Sequence, residues 1–215
     1  MKLEIKKKIP ILVGGTGLYF KALTEGLVEI TAIPYKFRNK IRLLQKSIGQ
    51  EKFYKKLLKL DPTIINHIKS TDVQRSIRAY EVELFTKKSI TEWYKSTKSK
   101  FKKKEFLKLY IDYPRPKLIE KINLRVRQML DMGAVLEVKK FLKLKISKNK
   151  SVSKAIGVVE IKDLIEKKID EDEVIEKISI KTRQYAKRQA TWARGHMKSW
   201  KKIEPKRLNS FLKKI

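Results

Sequence analysis

The apolar residues of this sequence recur at helical spacing over most of its length. Between residues 35 and 100 they return every three or four positions, as at Phe53, Leu57 and Leu60, which places them on one face of a helix. The same spacing predicts further helices over residues 18–27, 116–144, 155–168 and 171–195. Gly133 lies inside the second of these and can break it. The chain is therefore predicted to be mostly helical.

Two short segments have the pattern of β-strands instead. Residues 9–13 (IPILV) form an apolar run that predicts a buried strand, and residues 106–113 (FLKLYIDY) alternate in the manner of a second strand. The sequence Gly-Gly-Thr-Gly at 14–17 is the tight turn expected between the first strand and a helix. A two-stranded sheet is marginal on its own, and a buried parallel strand needs neighbours on both sides. The pattern therefore predicts the back part of an α/β protein.

The composition adds a strong positive charge. Lys and Arg number 54 against 23 Asp and Glu, which gives a formal net charge of +31. Such a balance favours a polyanionic partner, because phosphate neutralisation supplies most of the non-specific affinity for nucleic acid. Most of the basic residues are lysine, however, so the compositional drift of an AT-rich genome is an equally open explanation. The planar arginines are the more informative cations.

Other classes of protein are disfavoured. No apolar run approaches the roughly 18 residues of a membrane span, and no secretory signal pattern opens the sequence. The chain has no cysteine, which excludes a disulfide framework and suits the cytoplasm. No metal site, Ser–His–Asp arrangement or carboxylate pair can be argued from the spacing of the residues.

Four stretches could carry chemistry. The turn at 14–17 could let a phosphate approach the backbone, although it matches neither GxGxxG nor GxxxxGK[ST] and could equally be a packing turn with Thr16 as the helix N-cap. In DVQRSIRAYEV (72–82), Gln74, Arg78 and Glu81 share one flank of a helix, which suits either RNA or a solvated face with an ion pair. The stretches at 119–133 and 181–195 place cations beside apolar stripes.

Taken in order, these stretches resemble one family, the tRNA dimethylallyltransferases. The segments that carry the resemblance are IPILVGGTGLYFKALTEGL, DVQRSIRAYEV, RVRQMLDMGAVLEV, AIGVVE and TRQYAKRQATWARG. The resemblance implies a P-loop-like parallel-sheet core that carries an all-α insertion lobe. It divides the chain into a partial core at 1–32, the helical lobe at 33–104, and a core strand with the C-terminal helices at 105–215.

The resemblance also implies a reaction. The family transfers a dimethylallyl group from dimethylallyl diphosphate to the exocyclic amine of the adenine next to the anticodon of tRNA, after that base has been flipped out of its stack. An Asp acts as general base, and a P-loop with Mg²⁺ holds the diphosphate. The implied partners are therefore the tRNA anticodon arm and dimethylallyl diphosphate.

Site residues follow from the matching motif positions. Thr16 matches a threonine near the reacting adenine, and Arg125 an arginine that faces the diphosphate. The positions matching tRNA contacts are Arg38, Gln74, Arg75, Ser76, Ile77, Arg78, Lys154, Ala155, Ile156, Gly157, Val158, Val159, Glu160 and Ile161.

The sequence departs from the family in three ways, one of which is Lys87 after Thr86, where the family usually has glycine after the threonine. The family's P-loop, its Mg²⁺ ligands and its Asp precede the strand that residues 9–13 match, so we expect activity when a separately encoded N-terminal fragment completes the sheet. The family also usually has Gly-Tyr-Lys-Glu where this chain has Gly-Val-Val-Glu at 157–160. The alternative hypothesis is a basic helical remnant that binds RNA without catalysis.

Overall fold

The computed structural model describes residues 9–147 and 150–213. The chain divides into two compact units, one formed by Met1–Gly17 with Leu107–Ile215 and the other by Leu18–Phe106. We call them the core unit and the helical unit, and each is described by itself. The domain borders expected near residues 32 and 104 stay predictions.

The described residues are mainly helical, as predicted. The α-helices are α1 (Gly17–Glu25), α2 (Tyr35–Leu60, kinked at Gly49, whose backbone is not helical), α3 (Val73–Thr86), α4 (Ile90–Lys95), α5 (Arg115–Asp131), α6 (Ala134–Lys143), α7 (Val158–Ile165), α8 (Glu171–His196) and α9 (Leu208–Leu212). The strands β1 (Leu109–Ile111) and β2 (Lys201–Ile203) pair in parallel, with Leu109 opposite Lys201. None of the described helices is both long enough and apolar enough to cross a membrane.

Local sequence signals set the helix ends. The side chain of Asp72 caps α3 by accepting a hydrogen bond of 3.0 Å from the backbone N–H of Arg75. Asp170 caps α8 in the same way, because the N–H of Glu173 donates to it at 2.8 Å. Gly133 has a φ of +95° and separates α5 from α6, so the predicted break is confirmed.

Each unit has its own apolar core. In the helical unit, α2 and α3 pack around Phe53, Leu57 and Val82, which have no exposed surface. In the core unit, α5, α6, α7 and α8 enclose a second cluster that includes Ile161 and Val174. The helical spacing of the apolar residues thus marks the buried faces of the helices that form these cores, whereas Leu18 of α1 and Leu43 of α2 are 59% and 56% exposed.

The prediction of a buried strand at residues 9–13 is wrong for the described chain. These residues form no strand, and Ile9, Ile11 and Val13 expose 74%, 73% and 91% of their surface. An extended segment is held in a sheet by backbone hydrogen bonds to a neighbour. Here β1 pairs with β2 and leaves 9–13 without such a neighbour. The P-loop-like arrangement of the core is accordingly not seen in the described residues.

The strand β2 was missed in the sequence, where residues 201–203 read as part of a basic tail. Only one of its three residues, Ile203, is buried. An alternation needs four or more residues to be recognised, and this strand is too short to show one.

Candidate functional site

The Gly-Gly-Thr-Gly turn lies directly against α8. A side chain on Gly15 would overlap the amide of Gln189, and one on Gly17 would overlap the indole ring of Trp192. Gly17 therefore requires glycine, because the rigid indole approaches its backbone closely, whereas the flexible end of Gln189 could move aside at Gly15. Thr16 stands between them, exposed, immediately before α1. Two motifs from opposite ends of the sequence thus meet around one threonine.

Trp192 also contacts a histidine of the same helix. Its ring stacks on that of His196, with 4.3 Å between the ring centroids and 6° between the planes. The Nδ1 atom of His196 lies 3.0 Å from the backbone oxygen of Trp192. Sequence reasoning gave His196 no role, although its position four residues after Trp192 was a usable signal.

Arg125 lies on the exposed side of α5. Its neighbour Val126 is buried in the core cluster, so the helix places the guanidinium on the outer face. Among the residues that the structure describes, Arg125 forms no ion pair with an acidic side chain. Its planar fork is therefore available for an anion such as a diphosphate. That role stays a prediction.

The stretch 154–161 is exposed at one end and buried at the other. Lys154, Ala155 and Ile156 are exposed, and Val159 is about half exposed. Gly157 is buried with a φ of +103°, Val158 is half-buried, and Ile161 belongs to the core cluster. The exposed residues of this stretch are therefore those at 154–156 and Val159, and the RNA contacts expected over 154–161 stay predictions.

Glu160 is an internal cap. It is 97% buried, accepts a hydrogen bond of 2.9 Å from the backbone N–H of Gly157, and forms an ion pair with Lys181 of α8. Burial raises the pKa of Glu160, but the hydrogen bond from Lys181 and those from the backbone outweigh it and hold the pKa below its ordinary value. The carboxylate thus ties α7 to α8.

The predicted RNA-binding residues of the helical unit lie on α2 and α3. Gln74 and Arg75 are exposed, and Arg75 pairs with Asp72 at 2.5 Å. Ser76 and Ile77 are buried, and the hydroxyl of Ser76 donates to the backbone oxygen of Asp72 at 2.6 Å. The exposed positions can reach a ligand, whereas the buried ones hold the helix in place.

Arg38 and Arg78 both approach the carboxylate of Glu81. The three-residue spacing of Arg78 and Glu81 indicates their contact, but the spacing does not indicate that of Arg38 on α2. Both lie beside Glu81, at 3.5 Å and 3.6 Å between the nearest nitrogen and oxygen atoms. Arg42, which sequence reasoning missed, is the third partner at 3.8 Å. Its position one helical turn after Arg38 was the signal that could have found it.

A cavity of about 450 Å³ opens on the same unit. Its apolar floor includes Ile64, Ile68 and Ile90, and its rim includes Arg78 and Tyr94. The lining residues come from three separate segments of the chain, 64–68, 75–78 and 90–95, so no local pattern in the sequence could indicate the cavity.

Magnesium finds no site in the described part of the chain. Within residues 9–147 and 150–213, no three acidic or histidine side chains converge where they could hold a metal ion. The described residues therefore do not fit the ion that the resemblance implies.

The comparisons with known proteins agree with the motifs. The sequence profile of the IPP transferase family matches residues 1–196. The chain is 59% identical over 213 residues to the tRNA dimethylallyltransferase of Pelagibacter ubique, covering 99% of this chain and 68% of that protein. It is also similar to two solved structures.

One of these is the full-length tRNA isopentenylpyrophosphate transferase of Bacillus halodurans, with a TM-score of 0.57 and 25% identity over 94% of this chain and 62% of that one. The other is a eukaryotic dimethylallyltransferase acting on tRNA, with a TM-score of 0.71 and 27% identity over 89% of this chain and 49% of that one. The fold and the motifs define a tRNA-modifying prenyltransferase class. The chain belongs to the IPP transferase family, among the tRNA dimethylallyltransferases.

Proposed function

We propose that this chain supplies the tRNA-binding surface and one wall of the transfer site in dimethylallylation of tRNA. The substrate is the exocyclic amine of the adenine next to the anticodon, and the donor is dimethylallyl diphosphate. The observation that carries the proposal is the packing of the glycine turn on α8, in which Gly15 and Gly17, the neighbours of the exposed Thr16, lie against Gln189 and Trp192. The identities of the substrate and the donor are taken from the resemblance to the tRNA dimethylallyltransferases.

The reaction breaks the bond between the allylic carbon of the donor and the diphosphate oxygen. The amine nitrogen forms a new bond to that carbon and loses a proton, while the diphosphate leaves with the electron pair. In this scheme the hydroxyl of Thr16 orients the amine by a hydrogen bond. Arg125 stabilises the negative charge that develops on the leaving diphosphate.

The remaining parts of the reaction need groups beyond these. We propose that a segment bearing GxxxxGK[ST] and an acidic base holds the diphosphate and takes the proton, whether it is joined to this chain or encoded separately. Such a segment would also give the exposed residues 9–13 a strand to pair with, because exposed apolar side chains and unpaired backbone both gain from a sheet neighbour.

A transfer assay tests the proposal. The chain is combined with a P-loop-bearing segment from a tRNA dimethylallyltransferase, and prenylation of tRNA is measured with labelled dimethylallyl diphosphate. We expect transfer in the mixture. The proposal fails if the mixture is inert while the intact relative is active under the same conditions.

Two variants refine the test. We expect Arg125→Ala to lower kcat/KM by on the order of 10²-fold, because one charged donor to the leaving group is lost. Arg127 is exposed on the same helix and is the matched control, so Arg127→Ala should change the rate little. Equal losses in the two variants would remove Arg125 from the site.

The alternative, RNA binding without catalysis, rests on the net charge of +31 and on the arginines beside Glu81. It predicts that the same mixture binds the tRNA anticodon stem-loop and transfers nothing.

A further inference from the structure

Glu81 is a carboxylate buried beneath three arginines. Its side chain is 2% exposed, while Arg38, Arg42 and Arg78 above it are 39%, 44% and 41% exposed. The nearest approaches are 3.5 Å, 3.8 Å and 3.6 Å, too long for strong charge-assisted hydrogen bonds. The oxygen Oε1 of Glu81 has no hydrogen-bond partner. We call these four residues the arginine cluster.

The balance of charge in the arginine cluster is unusual for a purely structural ion pair. One buried acid faces three cations, which leaves a surplus of two positive charges at the surface. Within the described chain the three arginines pair with no other acid. A single carboxylate cannot satisfy three guanidinium groups, so donors remain for an outside acceptor.

The geometry aims those donors outward. Arg38 and Arg42 approach Glu81 through Nε, and Arg42 follows Arg38 by one helical turn on α2. The Nη groups of both are therefore farther from the carboxylate than Nε is. Two guanidinium groups held side by side in this way suit the bidentate recognition of phosphate oxygens.

We propose that Glu81 is a positioning residue that holds Arg38, Arg42 and Arg78 as one phosphate-binding cluster for the RNA backbone, and that Arg42 is part of the binding surface. This inference rests on the proposed function in one respect, since the RNA is taken to be the tRNA substrate. An arginine side chain that is already held in place loses less conformational freedom on binding than a mobile one does. The buried acid thus improves binding although its charge repels the ligand.

The charge of Glu81 and its positioning effect change the affinity for RNA in opposite directions, so neutralising Glu81 distinguishes them by the direction of the change. Glu81→Gln raises the net charge from +31 to +32. If charge alone mattered, the affinity for RNA would rise. If Glu81 positions the arginines, the affinity for an anticodon stem-loop RNA falls by about tenfold, the loss expected for one charge-assisted contact.

Glu83 provides the matched control. It lies two residues further along α3, and its charged neighbours are Asp61, Glu92 and Lys87 rather than the arginines of the cluster. Glu83→Gln makes the same change of charge on the same helix, so the affinity should stay equal or rise slightly. Binding is measured by titration of the full chain with the stem-loop, without dimethylallyl diphosphate, at a temperature below the thermal transition of each variant.

Arg42→Lys covers the case in which Glu81→Gln does not fold. Lysine keeps the charge and removes the planar fork, and the exposed position tolerates it. Positioning predicts about tenfold weaker binding, and charge alone predicts no change. Weaker binding with a cooperative melt in either variant supports the proposal.

The proposal is overturned by unchanged or tighter binding in a folded Glu81→Gln variant, by unchanged binding in Arg42→Lys when Glu81→Gln does not fold, or by a wild-type chain that does not bind the stem-loop. These outcomes are separate from those of the transfer assay. A chain that binds through the arginine cluster but transfers no isoprenoid overturns the proposed reaction and leaves this inference standing.

Discussion

At the scale of single residues, two kinds of position shape the candidate site. Gly17 leaves room for the indole of Trp192, and the neighbouring Gly15 lies against the side-chain amide of Gln189. The acids Glu81 and Glu160 are buried and each faces cations, three in the first case and one in the second. A buried charge is costly unless it is paired, so each of these acids fixes the cations around it.

Gly17→Ala should destabilise the core unit. Its new methyl group would overlap the indole of Trp192, and we expect a loss of about 1–3 kcal/mol, the usual cost of overpacking. Gly195→Ala is the control, because that position in α8 has open space and a helical backbone. The control should leave stability unchanged or raise it by about 0.5–1 kcal/mol. Urea unfolding curves of the two variants measure the difference, and equal stabilities would contradict the observed packing.

Glu160 should make stability depend on pH on the acid side. Its pKa is lowered by folding, so the stability it contributes is present above the unfolded pKa, near 4.3, and is lost as the pH falls through the folded pKa. Glu160→Gln should remove that part of the acid dependence, whereas Glu176→Gln, at an exposed site on α8, should keep it. Thermal melts across this pH range give the result. Parallel curves for wild type and Glu160→Gln would show that the cap contributes nothing.

At the scale of elements, caps and breaks are where the sequence was most informative. Asp72, Asp170 and Gly133 each act within a few residues, so their effect can be recognised without knowing what packs nearby. Strands could not be recognised as reliably from the local sequence in this way. Residues 9–13 have the apolar composition of a strand but pair with no other strand of the described chain. In contrast, β2 pairs with β1 although its sequence lacks the pattern of a strand. Strand formation depends on a distant neighbour, which a local pattern does not contain.

Asp170→Ala tests the cap of α8. The variant loses the hydrogen bond from the N–H of Glu173, and we expect a destabilisation of about 1 kcal/mol. Asp172→Ala removes the same charge from the first turn but no capping bond, so its cost should be smaller, about 0.3–1 kcal/mol. The comparison is made by thermal unfolding at moderate salt, which screens the charge effect. A larger loss for Asp172→Ala would show that charge, not capping, stabilises this end.

At the scale of the whole molecule, the net charge and the specific contacts act on the same ligand. A charge of +31 attracts any polyanion, whereas the arginine cluster presents cations in a fixed arrangement. The first effect is screened by salt more than the second, because fixed contacts retain their hydrogen bonds when the counterion contribution is reduced.

Salt should therefore separate the two kinds of binding. Between about 50 and 200 mM salt we expect the affinity for a scrambled RNA duplex to fall on the order of 10³-fold, as for a protein making several phosphate contacts. The affinity for the anticodon stem-loop should fall less and exceed that for the duplex at the upper end. Titrations with both RNAs at two salt concentrations measure this. Identical affinities and slopes would leave only non-specific charge.

The sequence by itself determined most of the helices, the break at Gly133 and the family, because these follow from local spacing and from motifs written in continuous stretches. The tertiary structure decided what those stretches do together. It placed the glycine turn against α8, turned Glu160 into an internal cap, and gathered three arginines over Glu81. It also left residues 9–13 without a partner strand. Each of these depends on contacts between residues far apart in the chain, and only folding brings such residues together.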